Sequence, residues 1–161
     1  MIYCDDPGYQ TRDEAVQRLV TTMTNLLTSW PRESFSGYLV HFTNRNLAAL
    51  SEFSTIDTAE CVLGALFAGN YFGGEVMNLA LQLQEATQWS DAIQAADNSR
   101  IYPVVDPDTG VFSGTIRPYN EYYLNAYIAN MTSAPGSKAN IYFETYYGSS
   151  GLLKTFPLML A

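Results

Sequence analysis

Val16, Leu19, Val20, Met23, Leu26, Leu27 and Trp30 recur at steps of three and four residues, which is the apolar stripe of an amphipathic helix. Thr11 or Asp13 can cap this helix, and Asp13 and Glu14 lie in a first turn where the dipole favours acidic groups. Pro31 ends it. The next run, residues 36–42, alternates weakly and reads as a short strand or an extended loop. A second helix is predicted from Ser54-Thr55, where Ser54 and Asp57 make a variant of the capping box. From Ile56 through Ala68 the chain is apolar almost all round, the pattern of a helix buried on most of its faces. Gly69-Asn70 and Gly73-Gly74 punctuate its exit. A third helix follows from Glu75 to about Gln88, with Val76, Met77, Ala80, Leu81 and Leu83 on its inner side. Asp106-Pro107-Asp108-Thr109-Gly110, between two short β-prone runs, predicts a small β-hairpin near 101–113. Pro118 suits the first turn of a fourth helix carrying Tyr119, Tyr122, Tyr123, Leu124, Tyr127 and Ile128. Ala134-Pro135-Gly136-Ser137 breaks it, and a last helix runs from about Lys138 to Tyr147. The fold class expected is therefore all-α with one small hairpin; a doubly wound α/β fold is disfavoured by the lack of strand–helix alternation.

Composition narrows the function classes. The chain has 161 residues, 47% of them hydrophobic, and includes 12 Tyr, 8 Phe and 2 Trp, enough for one domain with its own core. Sixteen acidic residues against eight basic ones leave a net charge of −8. Phosphate-backbone binding needs a surplus of Lys and Arg, so no nucleic-acid partner is expected. An anionic membrane surface is disfavoured for the same reason, and no apolar run reaches the roughly 18 residues of a membrane span. The first six residues have neither a basic nor an apolar segment of the kind found in signal peptides. Cys4 and Cys61 are too few and too far apart for a metal or disulfide framework and read as one mobile and one buried thiol. No cofactor is called for.

Three acidic residues stand at element boundaries, where function concentrates. Glu52 and Asp57 flank the start of the second helix, and Glu121 lies in the first turn of the fourth. Asp57 taken alone is explained by the helix dipole. Glu121 has two readings: a helix-capping residue in an aromatic core, or a carboxylate in a sugar cleft beside Tyr119, Asn120, Tyr122 and Tyr123. In such a cleft tyrosines stack on pyranose rings while amides and carboxylates bind hydroxyls. His41 is the only histidine; without a second metal-type ligand nearby it cannot anchor a metal site, and it reads as a hydrogen-bonding group.

The segments Tyr38-Leu39-Val40-His41-Phe42, Ser51-Glu52-Phe53-Ser54-Thr55-Ile56-Asp57-Thr58-Ala59, Gly64-Ala65-Leu66-Phe67-Ala68-Gly69-Asn70-Tyr71-Phe72, Gln88-Trp89 and Pro118-Tyr119-Asn120-Glu121-Tyr122-Tyr123-Leu124 together resemble the glucoamylase-like family. That family includes bacterial endo-β-1,2-glucanases and a domain of cyclic β-1,2-glucan synthases. The resemblance runs in order from about residue 11 to the end of the chain. It implies an (α/α)6 toroid of helical hairpins, a glucan groove at the end where the loops gather, and a periplasmic or secreted setting. It implies Glu52 and Glu121 as the catalytic carboxylates, and His41, Asn44, Asp57, Tyr119, Asn120 and Tyr122 as substrate-binding residues. Two positions depart from the family pattern. Thr43-Asn44-Arg45-Asn46 supplies no aspartate after the His-Phe pair, so Asn44 can bind a hydroxyl but not act as acid or base. Asn46-Leu47-Ala48-Ala49-Leu50 lacks the family's loop glycine.

The length then fits the first half of a toroid, a single partial domain whose apolar tail, Leu152 to Ala161, awaits cover. The expected function is that of a carbohydrate-active protein resembling a glycoside hydrolase of bacterial β-glucan. The alternatives are a non-catalytic oligosaccharide-binding protein and a structural helical domain. An exposed half-barrel face predicts a homo-oligomer, most simply two-fold.

Overall fold

The computed structural model describes residues 10–94, 100–116 and 121–148. Among these the chain is mostly helical, with five α-helices and one three-stranded antiparallel sheet. It divides into two compact units, Met1–Trp30 with Cys61–Ala86, and Pro31–Glu60 with Thr87–Ala161.

In the first unit, α1 spans Arg12–Thr28 and is capped by Thr11, not Asp13. The Glu14 N–H donates to Thr11 Oγ1 at 3.3 Å and the Thr11 N–H to Glu14 Oε2 at 2.9 Å, a complete capping box. Most of α2 (Thr55–Phe72) and all of α3 (Gly74–Glu85) belong here. Gly73 and Gly74 turn the chain between these helices at φ 70° and 53°, values that side-chain-bearing residues resist. A Cβ on Gly69 would stand 2.9 Å from Met77 Cα, so glycine is what lets the two helices approach. Arg12 closes the exit of α2: its guanidinium lies 5.4 and 4.9 Å from the Tyr71 and Phe72 rings and donates to both carbonyls.

Two expectations about burial are corrected in this unit. α2 is one-sided, because Ala59, Val62, Ala65 and Ala68 are buried while Gly64, Phe67 and Tyr71 form an exposed stripe. Close helix approach selects the small side chains for the inside, which a hydrophobicity pattern does not register. Leu81 is exposed too, since the inner face of α3 is carried by Val76, Ala80 and Leu83, and α3 ends at Glu85. Cys61 is half-buried.

The second unit holds the sheet. β1 (Phe53–Ser54) pairs with β2 (Val104–Val105), and β2 with β3 (Phe112–Ser113), in the registers Phe53↔Val105 and Val105↔Phe112. The predicted hairpin is present, and the residues just before α2 add a third strand to it. Residues 36–42 form no regular strand; single bridges tie Leu39 to Arg32 and Val40 to Phe53. A 3-10 turn at Trp89–Ala92 follows. α4 covers Tyr123–Thr132, and α5 covers Lys138–Phe143, is capped by Ser137, and continues as a π-turn over Glu144–Gly148. Glu121 thus precedes α4 instead of lying inside it: the Leu124 N–H bonds the Glu121 carbonyl at 3.1 Å, a tight turn leading into the helix. Tyr123 and Tyr127, both half-buried, pack in an aromatic cluster with Phe143 and Tyr147, ring centroids 5.0 to 6.1 Å apart. Pro118, Tyr119, Asn120, Cys4 and the apolar tail lie outside the described residues.

Glu33 is a buried carboxylate held by its own turn. It accepts from the Ser36 hydroxyl at 2.6 Å, the Phe35 N–H at 3.0 Å, the Ser36 N–H and the Ser34 hydroxyl. Burial pushes its pKa up, but the hydrogen bonds from Ser36, Phe35 and Ser34 outweigh that and hold it below the ordinary range. A carboxylate with a depressed folded pKa stabilises the protein above its unfolded value, about 4.3. That stability is lost as the pH falls through the lower folded value. Glu33→Gln is therefore expected to lower stability at pH 7, and the gap from wild type should shrink as the pH is taken from 5 down to 3. Urea midpoints measured across that range check it; a gap independent of pH counts against the ionised cradle.

Candidate active site at the start of helix α2

The Ser54-Thr55-Ile56-Asp57-Thr58 stretch shows why these residue types occur together. The Asp57 N–H donates to Ser54 Oγ at 3.2 Å, and the Ser54 hydroxyl in turn contacts the Asp57 carboxylate, which fixes the first turn of α2. The Thr55 hydroxyl donates to the Tyr102 and Pro103 carbonyls at 2.8 and 3.0 Å, binding the helix start to the lead-in of β2. The Thr58 hydroxyl donates to the Ser54 carbonyl at 2.6 Å and accepts the Leu39 N–H at 2.9 Å. Ser54, Thr55 and Thr58 are buried, so their hydroxyls are structural. Asp57 is the member of the motif left facing outward, with a side chain 46% exposed.

What Asp57 faces is His41. The imidazole lies between two carboxylates, with Nδ1 3.2 Å from Glu52 Oε1 and Nε2 3.7 Å from Asp57 Oδ2. The contact with Glu52 is within hydrogen-bond distance, whereas that with Asp57 is an ion pair only when the ring is protonated. The chain holds His41 opposite Glu52 because the His41 N–H donates to the Glu52 carbonyl at 2.9 Å. The carboxyl of Glu52 is held below its ordinary pKa, first by its own backbone N–H and then by the hydrogen bond from His41; desolvation opposes this, and the His41 charge adds least. The Tyr122 phenol is pushed upward first by burial and then by the negative charges of Glu121 and Asp57. The structure brings His41, Glu52 and Asp57 together; Glu121 and Tyr122 belong to the same unit, and Tyr119 and Asn120 lie outside the described residues.

Asn44 has a structural task as well. Its Oδ1 accepts the Asn46 N–H at 2.8 Å and the Ala48 N–H at 3.1 Å, shaping the tip of a hairpin-like loop that leaves the site at His41 and returns at Glu52. Thr43 and Ala49 pair across this loop, and Leu47 takes φ 60° at its tip. A left-handed conformation costs a side-chain-bearing residue about 1–2 kcal/mol. Glycine relieves that at an entropic cost of about 0.5–1 kcal/mol. Leu47→Gly is therefore expected to raise the melting temperature by about 1–3 °C, as read by calorimetry; a fall would mean that the Leu47 side chain contributes more than its backbone strain removes.

Two buried polar residues that sequence reasoning did not single out meet in the same unit. The fully buried Tyr38 donates to the Trp89 carbonyl at 3.1 Å, with Asn125 Oδ1 a second acceptor at 3.4 Å. Asn125, also fully buried, lies within α4, four residues beyond Glu121. The signal available for Asn125 was an amide in an otherwise apolar helical run. Among the described residues there is no cluster of His, Cys, Asp and Glu fit to hold a metal ion, and no helix long and apolar enough to cross a membrane. An apolar groove of about 350 Å3 between α1 and α2 is lined by Leu19, Met23, Leu26, Ala65 and Phe72 among others; it holds none of the candidate site residues.

No family model matches the chain, and neither a curated protein nor a solved structure is significantly similar to it. The functional reading rests on the residues themselves.

Proposed function

We propose that this chain is a glucan-active domain that binds a β-linked glucose polymer at the start of α2 and hydrolyses it with Glu52 and Glu121. The observation that carries the reading is His41 set between Glu52 and Asp57, since all three residues fall in the segments whose pattern resembles glucoamylase-like proteins. Glycoside hydrolysis needs one carboxyl group to protonate the leaving oxygen and a second to attack or to activate water. Glu52 is held below its ordinary pKa, which suits a base or nucleophile, with Glu121 proposed for the other role. In this reading Asp57 orients His41, and Tyr122 contributes a sugar-binding ring. The helical hairpins are then arranged as in an (α/α)6 toroid.

A second reading is favoured by Asn44, which stands where the resemblance leads one to expect an aspartate and whose Oδ1 is engaged within its own loop. In that reading the site binds glucan without cleaving it. Incubation with linear β-1,2-glucan and assay of released reducing ends decides. Turnover supports hydrolysis, saturable binding without turnover supports the second reading, and the absence of both sinks the glucan assignment. The exposed Phe67 and Tyr71 on α2 support self-association, for which light scattering should report a species larger than a monomer.

A further inference from the structure

Phe42 is 58% exposed, unusual for a phenylalanine beside a polar cluster, yet it is not a loose side chain. Its backbone is fixed on both sides: the Phe42 N–H donates to Ser51 Oγ at 3.0 Å and its carbonyl accepts the Leu50 N–H at 2.9 Å. One face of the ring is stacked on His41, with centroids 3.9 Å apart and planes 25° from parallel. His41 is itself held between Glu52 and Asp57. The ring therefore has one face supported and a surface open to solvent, at a position preset by the same contacts that arrange the carboxylates. Preorganisation of this kind favours binding because little side-chain freedom remains to be lost.

From this arrangement we infer that Phe42 is a stacking platform that receives the apolar face of a neutral pyranose ring, whose hydroxyls then point toward Glu52 and Asp57. The inference rests on the glucan reading above and adds a residue and a charge preference to it. The face of an aromatic ring is electron-rich and attracts the weakly positive C–H groups of a sugar face. Ionised carboxylates are acceptors only and need donors, which ring hydroxyls supply. Both carboxylates already face the imidazole, so the site offers hydrogen-bond acceptance to a neutral ligand more than an uncompensated charge to a cation. An acidic sugar is repelled by Glu52, Asp57 and the overall charge of −8.

The test is titration of the whole chain with a linear β-1,2-linked glucose oligosaccharide, followed by calorimetry and by the aromatic NMR signals of Phe42. Wild type should bind, with Phe42 shifted. Phe42→Ala should weaken binding about five- to tenfold, and Phe42→Trp should keep it or tighten it. The urea midpoint and the far-ultraviolet circular dichroism should be unchanged in Phe42→Ala, which separates a lost platform from a disturbed fold. A glucuronic-acid-containing oligosaccharide of equal length should bind more weakly than the neutral one. Equal binding by wild type and Phe42→Ala overturns the platform and leaves the glucan reading standing. No binding by wild type at millimolar sugar overturns both. Tetramethylammonium shifting Phe42 while the oligosaccharide does not would overturn the platform in favour of a cation site.

Discussion

Tyr38→Ala is expected to lower the unfolding free energy by about 3–5 kcal/mol, the usual cost of deleting a large buried aromatic side chain. Tyr38 is fully buried and meets Trp89 and Phe112 edge-on, each at a centroid distance of 5.8 Å. Its hydroxyl has the Trp89 carbonyl as its nearer acceptor at 3.1 Å and Asn125 Oδ1 as the farther one at 3.4 Å. Deletion would therefore leave a cavity among the 3-10 turn, β3 and α4 and remove the one proton these acceptors share. Tyr38→Phe isolates the second effect and should cost about 1–3 kcal/mol, the range for a buried polar group deprived of its partner. Burial, with Asp91 adding to it, drives the Tyr38 phenol far above its ordinary pKa, so the hydroxyl remains a donor throughout the pH range in which the protein is handled. Urea unfolding followed by tryptophan fluorescence measures both variants. A cost below 1 kcal/mol for Tyr38→Ala would show that the second unit does not depend on this hub.

The largest functional effect should come from Glu52→Gln. The amide keeps the shape of the side chain and removes its charge, so glucan should still bind. The rate of reducing-end release should fall by about 10²–10⁴-fold, the contribution typical of a positioned acid–base group. Because Glu52 is assigned the base or nucleophile role, the loss should persist with an aryl glucoside, whose leaving group needs no proton. Glu121→Gln should behave differently: a large loss on glucan and a much smaller one on the aryl glucoside, as expected when a general acid is removed. Retention of at least a third of wild-type turnover in Glu52→Gln would remove Glu52 from the chemistry. Asp57→Asn should act through the orientation of His41 and reduce turnover less than Glu52→Gln does.

The site was partly legible before the fold was known. Glu52, Asp57 and Glu121 stood out because carboxylates at helix starts are visible as a local pattern. The partnership of His41 with two of them was not visible, because it depends on a loop that leaves at His41, turns through Asn44–Ala48 and returns eleven residues later at Glu52. Asn44 illustrates the limit: a sequence shows an amide that can bind a hydroxyl, whereas the folded loop spends its Oδ1 on two backbone N–H groups. Phe42 was legible only as part of a motif, and its stacking on His41 is a fact of side-chain placement.

By itself the sequence determined the local elements. A stripe at steps of three and four residues specified α1, the capping residues and Pro31 bounded it, and Ser54 with Asp57 marked the start of α2. These signals are short-range, because each arises from backbone geometry and hydrogen bonds within a few residues. The tertiary structure alone decided which faces are covered. It turned the bulky Phe67 of α2 outward and its alanines inward, it gathered Tyr123 and Tyr127 around Phe143, and it set His41 between Glu52 and Asp57. Those outcomes depend on how closely neighbouring elements approach one another, as at Gly69 against Met77. Hydrophobicity measures the preference of a side chain for burial, and close packing decides which of several equally apolar side chains is buried.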